Sequence, residues 1–135
     1  MKLSTKARYA VTAMFDLAHN SKDGSPVSIS QISARQGITI DYLEQILNKL
    51  RRAELVESVR GPAGGYLLAK KPQKIKIGDI VRATEGPIAL VDCITDKSLC
   101  GKSGCCSTRG LWNKLSRKVS DLLDSTTLKD ICEEL

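Results

Sequence analysis

A five-residue run, Gly61-Pro-Ala-Gly-Gly65, separates two short apolar stretches and follows closely behind two amphipathic segments. This arrangement restricts the fold more than any other feature. Such a run demands backbone freedom that only glycine supplies cheaply, so it reads as the tip of a hairpin. The flanking stretches are Leu55-Val-Glu-Ser-Val-Arg60, which alternates like a half-buried strand, and Tyr66-Leu-Leu-Ala69. Upstream, Ser28-Ile-Ser-Gln31 fits a capping box at a helix start, with Ile29, Ile32 and Ala34 as its apolar side. Gly37 then suits a left-handed helix end. A further helix begins near Thr39–Asp41, with Leu43, Ile46, Leu47 and Leu50 as its inward stripe. Two short helices joined at a glycine describe a helix–turn–helix, at about 28–51, and a hairpin directly behind it, at about 55–69, describes a wing.

The rest of the chain arranges itself around this unit. Ala7, Ala10, Val11, Met14, Leu17 and Ala18 recur at helical spacing after a cap at Ser4 or Thr5, and the break SKDGSP follows. Residues 77–85 form a short helix that closes a DNA-binding domain over 1–85. Residues 86–107 read as a loop. A long helix then runs over about 108–124, with Leu111, Trp112, Leu115, Val119, Leu122 and Leu123 at near-heptad spacing, and a short helix from Leu128 follows a cap at Thr126 or Thr127. The expected fold is mainly α, a winged helix–turn–helix with a two-stranded wing and a long C-terminal dimerisation helix. Only 4% of the residues are aromatic. A chain so poor in large core residues does not bury the long helix's stripe alone, and pairing with a second copy does.

Charge divides unevenly. Residues 1–82 hold fourteen Lys/Arg against seven Asp/Glu, whereas residues 83–135 hold seven against eight. The whole excess of +6 therefore sits with the helix–turn–helix, the footprint of a module that meets phosphate backbones. No run of eighteen apolar residues is present, and charges stand where a signal peptide needs its apolar region, so a cytoplasmic location without membrane contact is expected. One histidine and no nucleophile–base pairing leave catalysis without a basis, so an enzyme is not expected.

On a helix–turn–helix the amino end of the second helix points at base edges. Thr39, Asp41, Tyr42, Glu44 and Gln45 are the candidates there. Gln45 suits adenine, and Glu44 or Asp41 suits cytosine N4. Glu44 also reads as a charge favoured by the helix dipole. Lys6, Arg8, Ser28, Arg51 and Arg60 suit phosphate or groove contacts, and Arg60 with Gly61, Pro62 and Gly64 forms a compact tip for a minor groove.

Four of the five cysteines, Cys93, Cys100, Cys105 and Cys106, fall within fourteen residues. In a reducing compartment such clustering favours metal ligation or redox sensing over disulfides. From spacing alone an iron–sulfur cluster and a structural zinc stand level. Cys132 lies apart and reads as a small apolar residue. His19, the single histidine, ends the first helix, where it suits capping carbonyls.

The stretches KLSTKARYAVTAM at 2–14, DYLEQ at 41–45, VRGPAGGY at 59–66 and GLW at 110–112 resemble the IscR-like iron–sulfur cluster regulators. That winged helix–turn–helix family also includes the nitric oxide sensor NsrR and the cysteine metabolism regulator CymR. The resemblance covers essentially the whole chain. It implies a homodimer on palindromic double-stranded DNA, acting as a repressor of cluster-biogenesis genes, and a [2Fe–2S] cluster in each subunit. Glu44 matches a position tied there to operator discrimination. The implied ligands are Cys93, Cys100 and Cys106, with Cys105 an extra neighbour. The pattern departs in two places: six residues separate Cys93 from Cys100, where the family has five, and Arg109 stands where a histidine ligand is expected. Arginine stays protonated and cannot ligate iron. Nitric-oxide-sensing relatives use an acidic residue from the partner's first helix, and the matching position here is Arg8. Cys105, Asp92, Asp96, Glu85, solvent or a small thiol remain for the fourth place. Other implied or rival readings are contact with cluster-assembly proteins, a nitric oxide or thiol redox sensor on this scaffold, and a zinc- or cluster-carrying protein that binds no DNA.

Overall fold

The computed structural model describes residues 3–21, 23–88 and 108–134. The first helix, α1 (Thr5–Asn20), is capped by Ser4, whose hydroxyl accepts from the Ala7 amide at 3.1 Å. Its inner face is built from Ala7, Ala10, Ala13, Met14, Leu17 and Ala18, all buried. Four alanines on that stripe let other helices approach its backbone closely, which is how a chain poor in aromatic residues still packs densely.

In α2 (Ile29–Gln36) both halves of the capping box form. Ser28 Oγ accepts from the Gln31 amide, and Gln31 Oε1 accepts from the Ser28 amide at 3.0 Å. Gly37, at φ 69°, ends the helix in the left-handed conformation. Ile32 is buried and Ile29 partly so, but Ala34 faces solvent, so the apolar side of this helix is narrower than its sequence suggests. The helix docks through Ile32 and a polar lock instead. Asp16 of α1, fully buried, accepts two bonds from the Arg35 guanidinium at 2.9 and 2.7 Å and one from Gln36 Nε2 at 2.8 Å.

Thr39 caps α3 (Ile40–Arg52) through a bond from the Tyr42 amide. Leu43, Ile46, Leu47 and Leu50 are each 0% exposed, as their spacing predicts. The chain leaves α3 through Glu54, at φ 62°, while the Leu55 amide reaches back to the Leu50 carbonyl. This is the helix ending usually given to glycine.

Strands β1 (Val56–Val59) and β2 (Gly65–Leu68) pair antiparallel, Val56 opposite Leu68 and Val59 opposite Gly65. The alternation expected of the first strand does not hold. Leu55 and Val56 are both buried, and Glu57 through Arg60 are all exposed. Only the base of the hairpin touches the core, and its outer half projects into solvent. Val27 bridges to Tyr66 on the far side of β2, which ties the hairpin to the start of α2.

After a 3-10 turn at Pro72–Lys74, α4 (Ile77–Glu85) packs against α1. The long α5 (Arg109–Ser125) and the short α6 (Leu128–Glu133) complete the described chain, with Thr127 and Asp130 forming a second capping box. Among the described residues no helix is long and apolar enough to cross a membrane. Helices thus dominate around a single two-stranded wing.

Candidate nucleic-acid interface and cysteine segment

The inward stripe of α3 fixes which residues face outward. With Leu43, Ile46, Leu47 and Leu50 in the core, Asp41, Glu44 and Gln45 are left exposed near the amino end of the helix. Thr39 is exposed too, its hydroxyl accepting from Tyr42 at the cap. Tyr42 is half-buried and sets its ring edge-on to Tyr9 of α1, with centroids 5.6 Å apart at 79°. Its body thus joins α3 to α1, and aromatic pairs of this geometry favour holding that angle. Ser28 is half-buried and committed as an acceptor to its capping box, so it presents the amino end of α2 rather than a free side chain.

Basic residues gather at the start of α1 and the end of α3. Lys6 and Arg8 lie in the first turns of α1, with Arg8 bonding Thr5, and Arg51 on the last turn of α3 bonds Asn48 at 2.9 Å. Lys49 and Arg52 belong to the same group, which the sequence pattern of α3 alone does not single out. The Lys49 amine is crowded first by Lys6 and then by Arg52, which holds its pKa below the ordinary lysine value. Positive groups gathered without an intervening carboxylate favour an anion between them. The signal was present as the i, i+3 spacing of Lys49 and Arg52, but the approach of Lys6 depends on tertiary packing.

At the wing, Arg60, Gly61 and Pro62 are exposed and Gly64 is half-buried. A Cβ on Gly64 would lie 2.1 Å from the Val59 carbonyl oxygen, so the tip closes more tightly than any larger residue allows. Arg60 is therefore carried on a narrow, projecting turn.

Glu85 ends α4 with its carboxylate accepting from the Ser4 amide at the start of α1. Of the residues considered for a fourth metal ligand, it is thus engaged with a helix end that has no acidic residue in its own first turn. His19 stacks its ring on Phe15, 5.8 Å away at 13°, rather than bonding carbonyls. Arg109 opens α5, and Cys132 is half-buried on α6 against the core. Cys93, Cys100, Cys105 and Cys106 lie outside the described residues. Among the described residues no three His, Cys, Asp or Glu side chains gather as a metal site.

Along α5 only Ser116 is buried, while Leu111, Leu115 and Leu122 are 50%, 36% and 67% exposed. Leu123 alone of the leucine stripe packs against the core.

Comparison with known proteins agrees with this architecture. Residues 3–134 match the model of the Rrf2 family, described as iron-dependent transcriptional regulators. The HTH-type transcriptional regulator IscR of Aliivibrio salmonicida is 45% identical over 136 residues, covering 97% of this chain and 77% of that protein. Among solved structures, CymR, the global cysteine regulator of B. subtilis, superposes with a TM-score of 0.82 at 38% identity, over 100% of this chain and 98% of that one. IscR of T. potens superposes with a TM-score of 0.80 at 41% identity, over 99% and 88%. The fold, the outward polar face of α3 and these similarities converge: the chain belongs to the Rrf2 family of DNA-binding transcriptional regulators.

Proposed function

We propose that this regulator works as a cytoplasmic homodimer that represses from a palindromic operator and follows iron–sulfur status through its cysteine segment. The observation that carries the dimer is the bare leucine face of α5, which one copy leaves in water and a second copy would cover. In this reading Asp41, Glu44 and Gln45 meet base edges. Lys6, Arg8, Lys49, Arg51 and Arg52 meet phosphates, and Arg60 enters the minor groove between Gly61, Pro62 and Gly64.

Cys93, Cys100 and Cys106 would hold the cluster. Thiolates are the ligands such clusters prefer, and the three fall within fourteen residues. With Arg109 in place of a histidine, the fourth ligand is weak or external, and a labile [2Fe–2S] cluster would let occupancy track supply. This favours control of cluster-biogenesis genes as the output. A second reading, in which the same thiols respond to redox state, is supported by the similarity to Staphylococcus aureus CymR, solved in an oxidized form.

Anaerobic purification followed by an absorption spectrum and iron and acid-labile sulfide assays separates these readings. Stoichiometric iron and sulfide, lost in Cys106→Ala and kept in Cys132→Ala, supports the cluster. Colourless protein with stoichiometric zinc overturns it, and equal loss in both variants overturns the ligand assignment. A mobility-shift assay on promoter duplexes that shows no sequence-specific complex would return the chain to the class of metal carriers.

A further inference from the structure

One end of α5 is fastened to the DNA-reading unit with unusual completeness. The Arg82 guanidinium on α4 donates to both carboxylate oxygens of Asp124, at 2.8 and 2.7 Å, and to Ser120 Oγ at 2.8 Å. Asp79 stands 3.6 Å away on the same helix. Directly behind Arg82, Gly78 leaves the space that the carboxylate occupies: a Cβ there would sit 2.1 Å from Asp124 Oδ1. The backbone adds its own strap, with the Ile77 amide donating to the Thr126 carbonyl at 2.9 Å and the Leu128 amide to the Ile75 carbonyl at 2.8 Å. All of these contacts lie at the carboxyl end of α5. Leu111, Leu115 and Leu122 stay exposed along the whole length of the helix, Leu122 most of all.

We infer that Arg82 and Asp124 are positioning residues that fix the angle between each DNA-reading unit and α5, and thereby set the half-site spacing the dimer accepts. The inference rests on the dimer reading above. If α5 joins the two copies, the path from one reading unit to the other runs through these last helical turns. A guanidinium–carboxylate fork fixes direction as well as distance, because both planar groups must align. The two backbone bonds, the buried Leu128 and Leu123 on the core hold this end of the helix in place, and the fork, one helical turn from the strap, adds the constraint on its direction. Each base pair added between half-sites moves the second site by about 3.4 Å and turns it by about 35°. A dimer with a fixed head angle rejects such a change, and one with free heads tolerates it.

The test uses the full chain and a duplex selected by the wild-type protein from a randomised pool, with its half-sites then moved together or apart by one and two base pairs. Two variants loosen the fork differently. Asp124→Ala removes it. Gly78→Ala pushes the carboxylate aside while adding helix propensity, so the fold is little weakened. For wild type, about tenfold weaker binding per base pair of displacement is expected, since half-sites out of phase cannot both be met. Both variants should bind all spacings within about threefold of one another, with single half-site affinity and dimer mass by sedimentation unchanged. Arg82→Lys, which keeps the charge but not the fork, should fall between. Wild-type spacing preference in both variants overturns the inference. So does loss of single half-site binding, which would mark a merely structural role. A wild-type monomer in sedimentation overturns the dimer reading and this inference together, so the two failures are distinguishable.

Discussion

Replacing Asp16 by asparagine should cost the protein more than any exposed charge change, and the size of the loss can be worked from three bonds. The carboxylate is fully buried between α1 and α2 and accepts from Arg35 Nε, Arg35 Nη2 and Gln36 Nε2 at 2.7 to 2.9 Å. Asparagine keeps the volume, so no cavity opens. It turns one of the two accepting oxygens into a donor that faces a donor, and removes the charge. Breaking a buried ion pair costs about 3–5 kcal/mol when the abandoned partner stays dry. Here Arg35 is 38% exposed and rehydrates, which brings the expected loss to about 2–3 kcal/mol. For a chain of this length that lowers the melting temperature by roughly 10 °C at fixed protein concentration. The sign of the pH dependence follows. Burial would raise the Asp16 carboxyl, but the bonds from Arg35 and Gln36 and the charge of Arg35 outweigh it and hold the pKa below the ordinary value. Stability from this group is therefore fully present above the unfolded carboxyl's pKa, about 3.9, and is lost as pH falls through the lower folded value. Urea unfolding of wild type and Asp16→Asn should show a gap that is constant from pH 7 to about pH 5 and narrows below pH 4. A gap under 1 kcal/mol at pH 7, or one that does not narrow in acid, would refute the reasoning.

Substitutions at three further positions probe other levels. Glu54→Gly should raise stability by about 0.5–1 kcal/mol, read as a higher urea midpoint, because glycine relieves the left-handed backbone at φ 62°; Glu54→Ala, which keeps the strain, should not. Gly65→Ala places a Cβ 2.2 Å from the Val27 carbonyl oxygen, backbone against backbone, and should cost about 2 kcal/mol by thermal melting and weaken operator binding by displacing the wing. Arg60→Ala should weaken binding most to duplexes whose minor groove under the wing is narrow and A·T-rich, measured by fluorescence anisotropy; equal weakening of every duplex would move Arg60 from the groove to the phosphates.

The parts legible in sequence are those governed by neighbours along the chain. The Ser28–Gln31 box, the Gly37 ending, the α3 stripe and the last helix cap, which falls on Thr127 of the two threonines expected, all rest on contacts within four or five residues and fold as the local pattern predicts. Failures begin where packing decides. Asp16 lies within the apolar stretch of α1, and only the approach of Arg35 and Gln36, nineteen and twenty residues on, makes its burial tolerable. Arg82 and Asp124 meet across 42 residues with no local mark of the pairing. The β1 segment misled by composition: Leu55 and Val56 anchor it, whereas Val59 matches the apolar pattern yet is 39% exposed, because the wing leaves the core after two residues. Glu54 occupies a left-handed position that its side chain does not announce.

The charge order along α3 joins the two readings of Glu44 that the sequence left side by side. Asp41 and Glu44 stand near the amino end of the helix, Lys49, Arg51 and Arg52 near the carboxyl end. Each sign sits where the helix dipole favours it, a stabilisation of about 0.3–1 kcal/mol per charge in the end turns. The same order suits a helix that sets its amino end against bases and its basic end against the phosphate backbone. Carboxylates tolerate only base edges with a donor to offer, and the cations hold the helix in place whatever the sequence. Asp41 lies in the first turn, where the dipole acts most strongly, whereas Glu44 lies a turn further on, where that effect is already fading. Folding therefore accounts for Asp41 more fully than for Glu44. Glu44, exposed to one side of the buried Leu43–Leu47 stripe, is the carboxylate whose place the helix dipole explains least.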